Sequence, residues 1–331
     1  KRSKIEAGQI FEVESQERIK KRMDRLSEAA IKQNAGRLAA SVAGTETSGS
    51  GQPSLLVDTI GLERVLGKTD FLGIDFLELA LAISRFVGRI NIRTRPGRTS
   101  GFGTGFMVSP RLLLTNNHVL RTAQEALHSE VEFDYQYDRF GRLLPVVVYG
   151  LEPRTFFITS KELDFTLVAV RESSRNGIEL KRYGWNHLIE GQGKALLGDS
   201  LNIIQHPRGE AKQIVLRSNQ LIDLPDNFAH YVTDTEPGSS GSPVYNDEWE
   251  VVALHHSGVP KKENGNYIAK DGSVWQPGMD PNDLEWVANE GIRVSSLVNY
   301  VKKARVSREQ ESLRDELLNS ETGLASVPWT V

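Results

Sequence analysis

The sequence predicts an all-β protein body that starts near residue 88, with charged helical segments before it and a helix after it. Three observations lead there. After Gly88, short β-branched and apolar runs recur, each bounded by turn residues. No strand-like run alternates with an amphipathic segment of helix length, which argues against a parallel α/β sheet. Before Gly88 the texture is the opposite, charged and with helical periodicity. Many short strands with regular turns specify a β-sandwich or a barrel, and the pattern leaves those two open.

Taken in order, residues 1–55 read as a charged helical N-terminal arm and a linker. Ile19, Met23, Leu26 and Ala30 make one apolar stripe. Arg18, Lys20, Lys21, Arg22 and Arg25 cluster, but Glu17, Asp24 and Glu28 are mixed in, which describes a solvated helix face. The sharper reading is a docking helix for a partner or a fused neighbouring domain. Residues 44–53, rich in Gly, Ser and Thr, form a flexible linker. Residues 56–95 read as a helical lead-in, with a helix start at Asp75 and Glu78 and a stop at Gly88. The apolar stretch at 74–87 is short and carries Asp75, Glu78 and Arg85, so it reads as a packed helix and not as a membrane span.

Strands are expected at 89–93, at the end of the lead-in, and at 105–108, 112–115, 146–149, 165–170, 201–204, 213–217 and 251–254, within a main domain spanning 96–305. Near its end Ser295 or Ser296 is expected to cap a helix with Leu297, Val298 and Val301 on its apolar face. Lys302, Lys303 and Arg305 suit the C-terminal dipole of that helix. Residues 306–331 read as a further helix starting at Ser307 with Gln310, followed by a loose tail after about 319.

Composition narrows the function classes. The 331 residues carry a net charge of -3, which gives no bulk electrostatic case for nucleic acid or an anionic membrane surface. There is no cysteine, which removes thiolate nucleophiles, disulfides and cysteine-based zinc sites together. The segment Gly101-Phe-Gly103-Thr-Gly105 contains a G-x-G, but no helix follows to receive a phosphate. Asp271, Asp280 and Asp283 lack calcium-loop spacing, and Trp275 and Trp286 beside them read as anchors of a surface insertion. No metal and no cofactor is expected.

The chemistry concentrates in three segments. Thr235-Glu-Pro-Gly238-Ser-Ser240-Gly-Ser-Pro-Val244 sets a serine among glycines, which exposes the hydroxyl and lets backbone N–H groups converge as an acyl-transfer oxyanion requires. A serine needs a base to be nucleophilic. His118, at the end of the apolar run 112–115, is placed for that role. Asp164, at the lip of the apolar run 165–170, is placed to orient the imidazole, whereas Asp134 and Asp138 fall in a tyrosine-rich loop. The order His, Asp, Ser differs from the orders of the subtilisin and α/β-hydrolase arrangements.

These segments, together with Gly103-Thr-Gly-Phe-Met-Val-Ser-Pro110, resemble the trypsin-like (chymotrypsin-fold) serine proteases, and most of all the bacterial, disulfide-free branch that includes the glutamyl endopeptidases. The resemblance covers roughly residues 88–304. It implies two packed antiparallel six-stranded β-barrels with the site in the cleft between them. It implies a serine endopeptidase with a catalytic triad of His118, Asp164 and Ser240, and an oxyanion hole from the N–H groups of Gly238 and Ser240. His206, in a loop that recurs in the second barrel, is expected to be structural. One departure is Ser239, where the trypsin-type zymogens carry an aspartate that pairs with a newly cut N-terminus.

The resemblance also places a pocket for the substrate side chain at Asp234, Thr235, His255, Ser257 and Gly258. Thr235 with His255 matches the acid-preferring relatives and Asp234 points to a basic preference, with the lean toward acidic. Ser257-Gly258 would pair with an extended peptide as an added strand. The expected partner is a protein or peptide substrate, with neither nucleic acid nor membrane. The rival readings are a latent protease-fold module that binds peptides or regulates, and a processing protease of a larger multidomain protein. The absence of cysteine and of an apolar signal core suggests a cytoplasmic location, with secretion from a bacterium as the alternative.

Overall fold

A computed structural model describes residues 72–216, 219–233 and 235–324. The expected N-terminal arm and linker, the start of the lead-in and the last seven residues lie outside the described residues, as does Asp234. The helix α1 (Asp75–Ser84) buries Phe76, Ala80 and Ile83. Its Phe76 ring packs 4.8 Å from Trp249, whose indole N–H donates to the Phe76 carbonyl at 3.0 Å. The helix does not use Asp75 as a cap: the flanking residue is Ile74, in helical conformation. Nor does Gly88 stop it. The chain turns into β1 (Val87–Arg95), where a Cβ on Gly88 would lie 2.7 Å from Val131. Residues 87–95, assigned to the lead-in by sequence, are therefore barrel strand.

Strands β2 (Arg98–Met107), β3 (Leu112–Thr115), β4 (Glu130–Phe133), β5 (Val147–Gly150), β6 (Phe157–Ser160) and β7 (Phe165–Ala169) complete a first antiparallel sheet, in the order β5-β4-β1-β2-β3-β7-β6. A short helix, α2 (Ala123–His128), follows the His118 turn and is capped by the Thr122 side chain. The sheet closes on itself where Leu151 bridges Val170, with Arg171 N–H on the Gly150 carbonyl at 3.0 Å and Glu152 N–H on that of Ala169 at 2.7 Å. Because β5 and β6 both lie against β7, they count as one interrupted strand of a six-stranded barrel.

The second sheet holds β8 (Asn202–Gln205), β9 (Gln213–Val215), β10 (Leu221–Asp223), β11 (Phe228–Tyr231), β12 (Pro243–Tyr245), β13 (Val251–Pro260) and β16 (Trp286–Arg293), in the order β10-β11-β16-β13-β12-β8-β9. It closes in the same way, through a Ser200–Gln220 bridge. Between β13 and β16 an insertion forms a separate hairpin of β14 (Lys262–Glu263) and β15 (Asn266–Tyr267). There the Trp275 indole N–H donates to the Asp280 carbonyl at 3.1 Å, so this tryptophan does anchor the loop.

Strand β16 runs directly into α3 (Val294–Lys303), which buries Leu297, Val298 and Val301. Arg293, extended at the end of the strand, takes the cap position, so Ser295 and Ser296 fall inside the first turn instead of capping it. The helix α4 (Arg308–Asn319) begins with the expected box of Ser307 and Gln310. Residues 320–323 are not a loose tail. Gly323 exchanges two 3.1 Å backbone hydrogen bonds with Trp185, and the Trp185 indole donates to the Glu321 carbonyl at 2.8 Å.

Each barrel has its own interior: Ile90, Leu113, Val131, Phe133 and Val168 in the first, Leu201, Ile203, Val244 and Ala253 in the second. A third apolar core joins them. It brings Phe106, Leu114 and Phe165 together with Ile204, Leu254 and Ile292, and with α1, α3 and α4. Burial of each such side chain contributes about 1.5–3 kcal/mol, so the barrels dock as one body with the site along their seam.

Candidate active site

His118 sits in the turn after β3, and Asp164 is the last residue before β7. These two strands are neighbours, with Thr115 opposite Thr166, so the sheet register itself brings the two ends together. Asp164 adopts a left-handed backbone (φ 45°), a conformation that aspartate tolerates better than most residues. Its carbonyl accepts from the Asn116 side chain at 2.9 Å. The turned backbone aims both carboxylate oxygens at His118: Oδ1 accepts the His118 main-chain N–H at 3.0 Å, and Oδ2 meets the ring Nδ1 at 2.7 Å. The imidazole is 43% exposed while the carboxylate is 18% exposed, so the pair presents its ring edge to solvent. Burial pushes the Asp164 carboxyl up, but hydrogen bonds from His118 and His256 outweigh it and hold the group well below the usual carboxylate range.

The Ser240 loop crosses from the second barrel to the first. Thr104, on β2, donates its N–H to the Ser240 carbonyl at 2.9 Å and its hydroxyl to the Gly238 carbonyl at 2.8 Å. The Thr104 carbonyl accepts the Thr115 hydroxyl at 2.7 Å. Two glycines make this approach feasible. A Cβ at Gly241 (φ 90°) would lie 2.0 Å from the Thr104 carbonyl oxygen, and one at Gly238 (φ 99°) would lie 2.7 Å from that of His206. The N–H groups of Gly238 and Ser240 make no hydrogen bond among the described residues, which leaves both available to an oxyanion. The Ser240 hydroxyl forms no hydrogen bond to His118. Triads without substrate are often looser than a hydrogen bond and tighten on the bound complex.

Ser239 is fully buried, and its hydroxyl accepts the Glu236 N–H at 3.2 Å. Glu236 in turn pairs with Arg208 at 2.7 Å, and Arg208 N–H donates to the Pro237 carbonyl at 2.6 Å. The neutral hydroxyl of Ser239 and the local Glu236–Arg208 ion pair thus hold this loop where activated trypsin-type enzymes pair an aspartate with the new N-terminus. The neighbouring His206 is fully buried, donates from Nδ1 to the Glu210 carbonyl at 2.9 Å, and is pushed by burial down to about 3. It is a structural, neutral histidine, as expected.

Beside the site, His255, Ser257 and Gly258 lie along β13. His255 is buried, and the Tyr231 hydroxyl lies 2.8 Å from its Nδ1. Burial pushes His255 down to about 3. The Tyr231 proton has no other partner among the described residues, so it is donated to Nδ1, which places the imidazole proton on Nε2. Thr235 donates to the Asn289 side chain at 2.7 Å, and Asn289 donates onward to the Thr233 carbonyl at 2.7 Å. Trp286 lies against Gly258, where a Cβ would fall 2.6 Å from the ring. Of the sequence-derived residues, His118 and Asp164 are in direct contact. Ser240 and Gly238 share the seam with them through Thr104, and His255, Ser257 and Gly258 share one strand.

Sequence reasoning missed the groups behind Asp164. His256 places Nδ1 3.1 Å from Asp164 Oδ2 and Nε2 2.8 Å from Glu290 Oε1. The other oxygen of Glu290 meets His230 Nε2 at 2.6 Å. The one available signal was the doubled histidine, His255-His256, inside an otherwise apolar strand.

Comparison with known proteins agrees with this architecture. A model of the trypsin-like peptidase domain matches residues 103–254, which include His118, Asp164 and Ser240. The chain is 37% identical over 294 residues to the uncharacterized protein y4fB of Sinorhizobium fredii (strain NBRC 101917 / NGR234), an alignment covering 83% of this chain and 44% of that protein. It is 28% identical over 219 residues to the secreted RxLR effector protein 73 of Plasmopara viticola, covering 60% of this chain and 51% of that protein. The chain thus spans about half the length, or less, of these relatives. With two antiparallel barrels docked along a seam and that domain matched across it, the chain has the trypsin-like serine protease fold.

Proposed function

We propose that this domain is a serine endopeptidase working through an acyl-enzyme. Ser240 attacks the scissile carbonyl, His118 takes its proton and returns it to the leaving amine, and Asp164 holds the imidazole in the required tautomer. The N–H groups of Gly238 and Ser240 receive the oxyanion. The observation that carries this reading is the two-point grip of Asp164 on His118, through main-chain N–H and ring together. That grip fixes both the position of the base and the nitrogen left free to face the serine.

The pocket favours an acidic side chain before the scissile bond. His255, neutral and with its proton on Nε2, offers a donor to a carboxylate without placing an unpaired cation in the barrel. The Ser257-Gly258 edge accommodates an extended peptide. The test is digestion of a proteome-derived peptide library by the parent and by Ser240→Ala, with cleavage sites read by mass spectrometry. The expected result is cuts after Glu or Asp made by the parent alone. Equal cutting by both proteins overturns the role of Ser240. Cuts after Lys or Arg overturn the pocket assignment while keeping the triad. No cutting by the parent favours the peptide-binding alternative.

A further inference from the structure

His256 has no part in the mechanism above, yet its ring is held between two carboxylates, one from each barrel. Its place follows from a β-bulge. On β13, His255 pairs with Gly291 and Ser257 with Glu290, so His256 is the extra residue that the bulge leaves unpaired. A bulge re-aims a side chain, and here the ring reaches across the seam to Asp164 while keeping Glu290 on its far side. His230 stands directly opposite Glu290 in the sheet and occupies its second oxygen.

Proton counting decides the state of this ring. A neutral imidazole carries one N–H, so one of the two contacts would set a ring lone pair against a carboxylate oxygen. Both are satisfied only when both ring nitrogens donate, that is, when His256 is an imidazolium. Burial disfavours that charge, but the hydrogen bonds and charges of Asp164 and Glu290 outweigh it and raise the group above its ordinary value. The groups facing the ring are His118 from the turn after β3, Asp164 from the start of β7, Glu290 from β16 and the buried neutral His255 from β13 itself. From β11 come the Phe228 ring, stacked at 5.7 Å, and His230 behind Glu290. The atoms face one another in pairs instead of converging on a point. Among the described residues no group of three or more His, Asp or Glu is disposed to hold a metal ion.

We infer that His256, held by Glu290, is a positioning residue that fixes the Asp164 carboxylate and makes the pH range of catalysis depend on a second histidine. The inference rests on the reading of His118 and Asp164 as the catalytic pair. With His256 charged, Asp164 Oδ2 is shared by two N–H donors and its plane is locked. When His256 loses its proton at alkaline pH, the clamp opens and the base loses its orientation.

The test combines NMR of the full chain labelled with 15N-histidine and pH profiles of kcat/KM for the parent, His256→Gln and the near-isosteric Glu290→Gln. In the parent, both His256 nitrogens are expected to carry protons at a pH above the free imidazole value of about 6.5. Glu290→Gln is expected to bring that titration down, and the alkaline limb of kcat/KM down with it. His256→Gln, which keeps one neutral donor, is expected to lower kcat about tenfold or more with KM little changed. A His256 that titrates as a free imidazole, or an alkaline limb unmoved by Glu290→Gln, overturns the inference. If His256→Gln fails to fold, Glu290→Gln carries the test. Absence of cleavage by the parent overturns the peptidase reading and the positioning role with it. Cleavage with a neutral His256 overturns the inference alone.

Discussion

His255 and His256 are consecutive on one strand, and the fold treats them in opposite ways. His255 is buried in the second barrel with one neutral partner, the Tyr231 hydroxyl, and burial pushes it down to about 3. His256, also largely enclosed, lies between two carboxylates and is raised. The lesson is that enclosure does not set the charge of a histidine. What sets it is whether the enclosed nitrogens face dipoles or formal charges. A single bulge supplies both environments within two residues of chain.

The largest expected effect follows from the opposed signs. A histidine depressed in the folded state contributes stability that is present above the unfolded value and is lost as pH falls toward the folded one. For His255 that window runs from about 6.5 down to about 3. His256, being raised, contributes stability that is full below about 6.5 and is lost as pH rises through its folded value. In urea unfolding, taking the parent from pH 7 to pH 5 is expected to cost about 2 kcal/mol more than taking His255→Gln over the same interval. Equal losses in the two proteins would break the comparison.

An effect of comparable size is expected when the neutral partner is removed. Tyr231→Phe leaves the buried Nδ1 of His255 without its donor, at a cost of about 1–3 kcal/mol in unfolding free energy. It also frees the tautomer, so the preference for acidic side chains should weaken more than the rate on a neutral substrate. A fully retained preference would show that the proton on Nε2 does not depend on Tyr231.

The smallest effect is expected at the far end of the carboxylate chain. His230 and Glu290 are both partly open to solvent, with side chains 22% and 25% exposed, so His230→Gln should cost less than about 1 kcal/mol in the same unfolding measurement. A larger loss would mean that His230 sets the geometry of Glu290 and does more than screen it.

Five of the seven strands of the first sheet were legible in the sequence as apolar runs, and so were His118 and Asp164 as residues flanking two of them. Periodicity locates such runs, and β3 was found with its observed bounds. Strand β4, with sequence Glu-Val-Glu-Phe, was not found. Its two glutamates are buried, with Glu132 paired to Arg89 at 2.6 Å and Glu130 to Arg93 at 2.8 Å, and partners that distant in sequence leave no local pattern. The groups behind Asp164 were hidden for two reasons. Glu290 lies in Trp-Val-Ala-Asn-Glu-Gly-Ile-Arg, where Asn, Glu and Gly depress strand propensity, so β16 was not recognised. The orientation of His256 depends on a bulge, and a one-residue irregularity in pairing has no signature in a single sequence.

The bonds from Thr104 to Ser240 and Gly238 bear on the order in which the molecule is made. Chains emerge N-terminus first, and domains generally fold as units. The first barrel is complete at β7, so His118 and Asp164 can pair while the Ser240 loop, 76 residues beyond Asp164, has yet to appear. That loop takes its shape only when Thr104 is there to receive it, and His256 reaches Asp164 only in the same docking step. A half-made chain, or one severed between the barrels, holds the paired His118 and Asp164 with no Ser240 loop seated beside them. In refolding, whatever chemistry the loop performs is expected to return with the slowest phase that joins the two barrels.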